Sequence, residues 1–88
     1  MMLKGINVMT ISKAVSIRLI ELLKQNDLTQ YKLEQKTGIS HDTIKSIMKG
    51  KAKGVNLRTI ITIADGLEIS VSEFLNSPLF EYNNLEID

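Results

Sequence analysis

Four times between residues 28 and 74 an apolar residue is followed at once by Thr, Ser or Asn and, four positions beyond that polar residue, by another apolar side chain. Leu28-Thr29 leads to Leu33, Ile39-Ser40 to Ile44, Val55-Asn56 to Ile60, and Ile69-Ser70 to Phe74. In each case the side-chain oxygen can accept from a free backbone N–H of a first helical turn, and the two flanking apolar residues can close over it as a hydrophobic staple. The pattern predicts four helix starts. Gly38, Gly50 and Gly66 stand where three of these helices would need a left-handed residue just past their ends. Upstream, Val15, Leu19, Leu22 and Leu23 recur at helical spacing and predict a further amphipathic helix from about Ser12 to Asn26.

The intervals between these segments are short, so the expected architecture is an all-α, five-helix domain over residues 12–76. It lies between an N-terminal arm, residues 1–11, and a C-terminal tail, residues 77–88. In the tail, FEY and LEI flank Asn83-Asn84, a pair that accepts positive φ in a two-residue turn, and this reads as a tiny hairpin. Such short strands need support from a helix, from the apolar residues near Ile6 and Val8, or from another subunit. A frayed tail after Pro78 is the competing expectation. The 88 residues include no cysteine, so cohesion has to come from apolar packing. No apolar run approaches a membrane span, and MMLKGINVMTI lacks the features of a secretory signal, which points to a cytoplasmic protein.

Net charge is +1, but it is unevenly spread. Residues 29–58 hold seven bases against two acids, and the rest of the chain holds four against eight. A basic region in acidic surroundings suits a polyanion. Lys32 adds to this: it occupies the third position of a helix where Ser70 has Glu73, so it opposes the helix dipole but suits an external anion.

Ser40, His41 and Asp42 invite comparison with a hydrolytic triad, but consecutive side chains at a helix start diverge by about 100° and cannot relay a proton. One histidine without cysteine or a second His at i+4 offers no metal ligand set, and no cofactor is expected. Ser40 is a cap and Asp42 complements the positive end of the helix dipole. Projected as a helix, Ile44, Ile47 and Met48 face inward, leaving Asp42, Lys45, Ser46 and Lys49 on the outer side, flanked by His41 and Thr43. Short donors and acceptors mixed with lysines suit the DNA major groove and its flanking phosphates.

LTQYKLEQKTGISHDTIKSIMKGK, residues 28–51, resembles the helix-turn-helix of the Xre/Cro-like phage-repressor family of transcriptional regulators. Leu28, Thr29, Gln30, Leu33, Gly38, Ile39, Ser40, Thr43, Ile44, Ile47 and Gly50 carry the likeness, and LRTIITIADGLEISVSEFL extends it. The resemblance implies a compact lambda-repressor-like fold in which the helix begun by Ser40 enters the major groove and the helix begun by Thr29 crosses the backbone. It further implies base reading by His41, Asp42 and Ser46, with Lys45 in reach of a guanine. Phosphate contacts are implied at Gln30, Thr43 and the loop from Lys51 to Asn56, including Lys53. Thr29, Lys32, Ser40 and Lys49 lie beside them. Gln30 also fits on its own terms, since a first helical turn can grip an anion.

Two departures stand out. The family often links its first and recognition helices by an arginine and glutamate pair, where this chain has Leu23 and Met48. The base-reading places also lack the usual Arg, Gln or Asn, and an Asp there repels phosphate while it can accept from cytosine N4. The expected function is a sequence-specific DNA-binding regulator, a repressor by resemblance, acting as a homodimer on double-stranded DNA and not an enzyme. The alternative is a protein-interaction module, such as the antitoxin of a toxin and antitoxin pair, docking a protein partner through the tail.

Overall fold

All four caps form. In the computed structural model, which describes residues 8–86, the side-chain oxygens of Thr29, Ser40, Asn56 and Ser70 each accept from the backbone N–H three residues on. They open α2 (Gln30–Thr37), α3 (His41–Met48), α4 (Leu57–Gly66) and α5 (Val71–Leu75). The staples form with them: Leu33, Ile44, Ile60 and Phe74 are buried in the core, and Leu28, Ile39, Val55 and Ile69 pack against it. A fifth cap, Thr10, opens α1 (Ile11–Gln25) one residue before the predicted start. The core thus grows from the same residues that start the helices, and each fully buried aliphatic or aromatic side chain contributes about 1.5–3 kcal/mol relative to exposure.

α1 lies at the centre, packed on α3, on the tail and on the first residues described; α2 packs on α4, and α4 on α5. A five-residue helix such as α5 is too short to persist alone. Arg18 of α1 closes it, donating from Nε to the Phe74 carbonyl (2.7 Å) and from Nη2 to the Glu73 carbonyl (2.8 Å). Two serines one turn apart on α1 hold the far end of α3 in the same way. Ser16 donates to the Met48 carbonyl (2.5 Å), and Ser12 donates to the Ala52 carbonyl in the following loop.

Gly38 and Gly50 take the left-handed conformation that the sequence predicts, with φ of 74° and 71°. Gly66 does not. It is the last helical residue of α4, and the positive φ after that helix (61°) falls on Glu68. What Gly66 supplies is space: a Cβ there would lie 2.5 Å from Thr37 Cγ2 and 3.3 Å from Leu33 Cδ1 of α2.

The tail also departs from the expected hairpin. Pro78–Phe80 and Tyr82–Asn84 are single 3₁₀ turns, and neither Asn83 nor Asn84 has positive φ. Asn84 instead donates from its side chain to the Pro78 carbonyl (2.8 Å). Leu85–Glu86 (β2) pairs in parallel with Met9–Thr10 (β1), Met9 against Leu85 and Thr10 against Glu86. The supporting strand therefore comes from the opposite end of the chain, from residues the sequence placed in an arm. Phe80 packs on the core with its ring centroid 6.4 Å from that of Phe74, and Leu85 is buried. The remaining residues of the predicted arm, 1–7, together with Ile87 of the predicted hairpin, lie outside the described residues.

Candidate nucleic-acid interface

The α2–turn–α3 unit is fixed by local chemistry. Gly38 turns left-handed and returns its N–H to the Glu34 carbonyl (2.8 Å). Thr37 spans the corner, its hydroxyl donating to the Leu33 carbonyl (2.8 Å) and accepting from Ile39 N–H (3.1 Å). Ile44 and Ile47 are buried and Met48 packs on the core, so α3 can turn only its other side outward. His41, Asp42, Thr43, Lys45 and Lys49 are exposed on that side. Ser46 is half-buried, and its carbonyl accepts from Lys51 N–H (3.1 Å).

The loop after α3 is pinned at its middle and open on both sides. Ala52 packs against the core while Lys51 and Lys53 on either side are exposed. Thr43, Lys53 and Asn56, for which the resemblance implies phosphate contact, line one notch of about 120 Å³ together with Ala52, Gly54 and Thr59. Asn56 caps α4 with Oδ1, which accepts from Thr59 N–H (2.9 Å) and the Thr59 hydroxyl (3.0 Å), so its amide N–H groups remain available. Thr29 and Ser40 are likewise occupied as caps, and Ser40 also donates to the Thr43 hydroxyl (2.9 Å).

Among the described residues, Lys32, Lys45, Lys49, Lys51 and Lys53 form no ion pair, so their charge is uncompensated by direct contact. Lys36, counted with them in the sequence, is different: it pairs with Glu68 at 2.9 Å and belongs to the α2–α4 side of the molecule. Leu23 is buried, and it lines an apolar groove with Met48, Ile20 and Leu28. Leu23 and Met48, the places where the resemblance puts an arginine and glutamate pair, are both apolar, so α1 and α3 meet there without an ionic link. Such a replacement is neutral or stabilising when the shapes fit.

The sequence reading gave Glu34 no role. Its Oε2 accepts from Gln30 Nε2 (2.8 Å) and from His41 Nδ1 (2.8 Å), tying the start of α2 to the start of α3. The Gln30 hydrogen bond, and after it the hydrogen bond and charge of His41, hold this carboxyl below the usual carboxylate range despite partial desolvation. The His41 side chain is 63% exposed and that of Glu34 only 14%, so the histidine is presented and the glutamate supports it. The i, i+4 spacing of Gln30 and Glu34 was the one available signal. Ser40, His41 and Asp42 form no relay: Ser40 turns to Thr43 and His41 to Glu34.

A family model described as the Cro/C1-type HTH DNA-binding domain matches residues 18–78. Among solved structures, the crystal structure of the prophage Lp1 protein 11 matches with a TM-score of 0.72 and 29% sequence identity, over 89% of this chain and 97% of that one. No curated protein matches the chain. No helix among the described residues is long and apolar enough to cross a membrane. With the family match running from within α1 past α5 to Pro78, and with two capped helices meeting across Gly38 beneath an open polar flank, the chain belongs to the Cro/C1-type helix-turn-helix DNA-binding family.

Proposed function

We propose that this protein is a sequence-specific transcriptional regulator that lays α3 in the major groove and acts as a homodimer on a two-fold DNA site. The observation that carries the reading is the outer side of α3: exposed Asp42, Lys45 and Lys49, continued by Lys51 and Lys53, with no ion pair made to any of the lysines among the described residues. On this reading His41, Asp42, Lys45 and Ser46 meet base edges. The notch lined by Thr43, Lys53 and Asn56 seats one phosphate, and Gln30, Thr29 and Lys32 at the start of α2 seat another. Lys49 and Lys51 extend the phosphate contacts, and Ser40 holds the helix start at the groove.

The homodimer draws support from α4. Leu57 and Ile61, one turn apart, are 61% and 47% exposed. Arg58 and Asp65 flank Ile61 on the same helix, and neither forms an ion pair among the described residues. An antiparallel, two-fold pairing of α4 covers the apolar pair and sets each Arg58 against Asp65 of the partner subunit, the self-complementarity that a closed dimer requires.

The test is the double substitution Lys45→Glu with Lys49→Glu, assayed for duplex binding and helicity. Binding should be lost with helicity unchanged; unaltered affinity would reject the docking. In the unsubstituted protein, log K should fall with log salt by about 0.9 per neutralised phosphate. A flat response would favour the other reading, a protein-interaction module using the exposed Glu81, Tyr82 and Glu86 of the tail.

A further inference from the structure

The contact between Gln30, Glu34 and His41 goes beyond docking to the choice of base, and it rests on the reading of α3 as the groove-entering helix. Gln30 Nε2 and His41 Nδ1 both lie 2.8 Å from Glu34 Oε2, and 3.4 Å from each other. An ionised carboxylate only accepts, so each nitrogen must bring a hydrogen to that oxygen. The imidazole proton is thereby placed on Nδ1. In the neutral ring Nε2 is then a bare acceptor, carried on a side chain that is 63% exposed at the first turn of α3. Asp42, the next residue, is also an acceptor and is exposed. With the ring neutral, the start of the helix thus presents two acceptors in succession. In the major groove the matching donors are the exocyclic amines of adenine (N6) and cytosine (N4), whereas guanine and thymine present acceptors at the corresponding edge.

We infer that Glu34 is a positioning residue for sequence recognition: by holding His41 as the Nδ1–H tautomer, it directs Nε2 to an exocyclic amine of adenine or cytosine without touching DNA itself.

Two measurements on the full chain test this. Long-range ¹H–¹⁵N NMR of the DNA-free protein at about pH 8, above the ordinary imidazole range, reads the tautomer. The Nδ1–H form is expected in the unsubstituted protein and in Glu34→Gln, whose side-chain carbonyl still accepts. Glu34→Ala should move the ring toward Nε2–H. A ring already in the Nε2–H form in the unsubstituted protein overturns the inference. Selection from random duplexes then reads the consequence. At the same pH, the unsubstituted protein and Glu34→Gln should favour an amine-bearing base at one position of each half-site by about fivefold, the low end of what a base contact discriminates. Glu34→Ala and His41→Ala should lose the preference at that position and keep the others.

Unchanged selection in Glu34→Ala overturns the inference even where the tautomer shifts. If Lys45→Glu with Lys49→Glu abolishes binding while Glu34→Ala selects as before, only the role of Glu34 falls. If the lysine double substitution leaves binding intact, the docking falls and the inference with it.

Discussion

Replacing Gly66 with alanine sets a local gain against a tertiary cost, and the structure gives both sizes. Within a helix alanine is favoured over glycine by about 1 kcal/mol, so at an exposed site the substitution would stabilise the protein. Gly66 is buried, and the new Cβ would sit 2.5 Å from Thr37 Cγ2, well inside van der Waals contact. Thr37 cannot turn aside freely, because its hydroxyl donates to the Leu33 carbonyl and accepts from Ile39 N–H. Rotation would break two hydrogen bonds of about 1 kcal/mol each. Spreading α2 and α4 instead is overpacking, which costs roughly 1–3 kcal/mol. By either route Gly66→Ala should destabilise by about 1 kcal/mol net. Thr37→Ser removes the offending methyl and keeps the hydroxyl, leaving the 3.3 Å approach to Leu33 Cδ1 to take up part of the gain, so in that background Gly66→Ala should be neutral or stabilise by up to about 1 kcal/mol. The expected coupling is about 1–2 kcal/mol, read from urea midpoints at unchanged m. Stabilisation by Gly66→Ala alone, or effects of the two substitutions that simply add, would refute the account of why glycine stands there.

Three further outcomes are expected. Ser16→Ala leaves the Met48 carbonyl without its donor at a position where Ser16 is only 4% exposed, and should lower unfolding free energy by about 1–3 kcal/mol; an unchanged midpoint would show that the bond is dispensable. Glu34 and Glu68 both have folded-state pKa values below their ordinary range, through Gln30 and His41 for the first and Lys36 for the second. The stability they contribute is complete above the unfolded carboxylate pKa and is lost as pH falls through the lower folded values. Urea midpoints followed into acid should therefore decline less steeply when Glu34→Gln and Glu68→Gln are combined, and an identical decline would contradict the assignment. Asp42→Ala should change the sequences recovered from random duplexes and raise affinity for nonspecific DNA; identical preferences would reduce Asp42 to a helix-end charge.

What was legible in the sequence was what is decided within one helical turn. Thr29, Ser40, Asn56 and Ser70 cap as the local pattern requires, and Leu33, Ile44, Ile60 and Phe74 are buried because the staple and the core use the same side chain. The outward side of α3 follows from the inward burial of Ile44 and Ile47. The misses are all long-range. Gly66 reads as a helix stop until Thr37 of α2 is placed against it. Lys36 reads as part of the basic face until Glu68, 32 positions away, neutralises it. The Asn83-Asn84 pair reads as a hairpin turn until β2 is seen to pair with Met9–Thr10, next to the N-terminal residues that the sequence offers as one of its possible supports. At the interface, the side chains that make contact with solvent were readable, whereas the one that orders them, Glu34, emerges only when α2 and α3 are brought together.

The parallel pairing of β1 and β2 has a kinetic side. Its two strands are separated by nearly the whole described chain and contribute two residues each. A contact of such high sequence separation gains nothing until the intervening helices have collapsed and shortened the loop to be closed. The seam is therefore expected to zip late in folding and to open early. Amide protons of β1 and β2 should exchange through sub-global opening while those of α3 wait for complete unfolding, so the ends of the molecule can breathe without loosening α3.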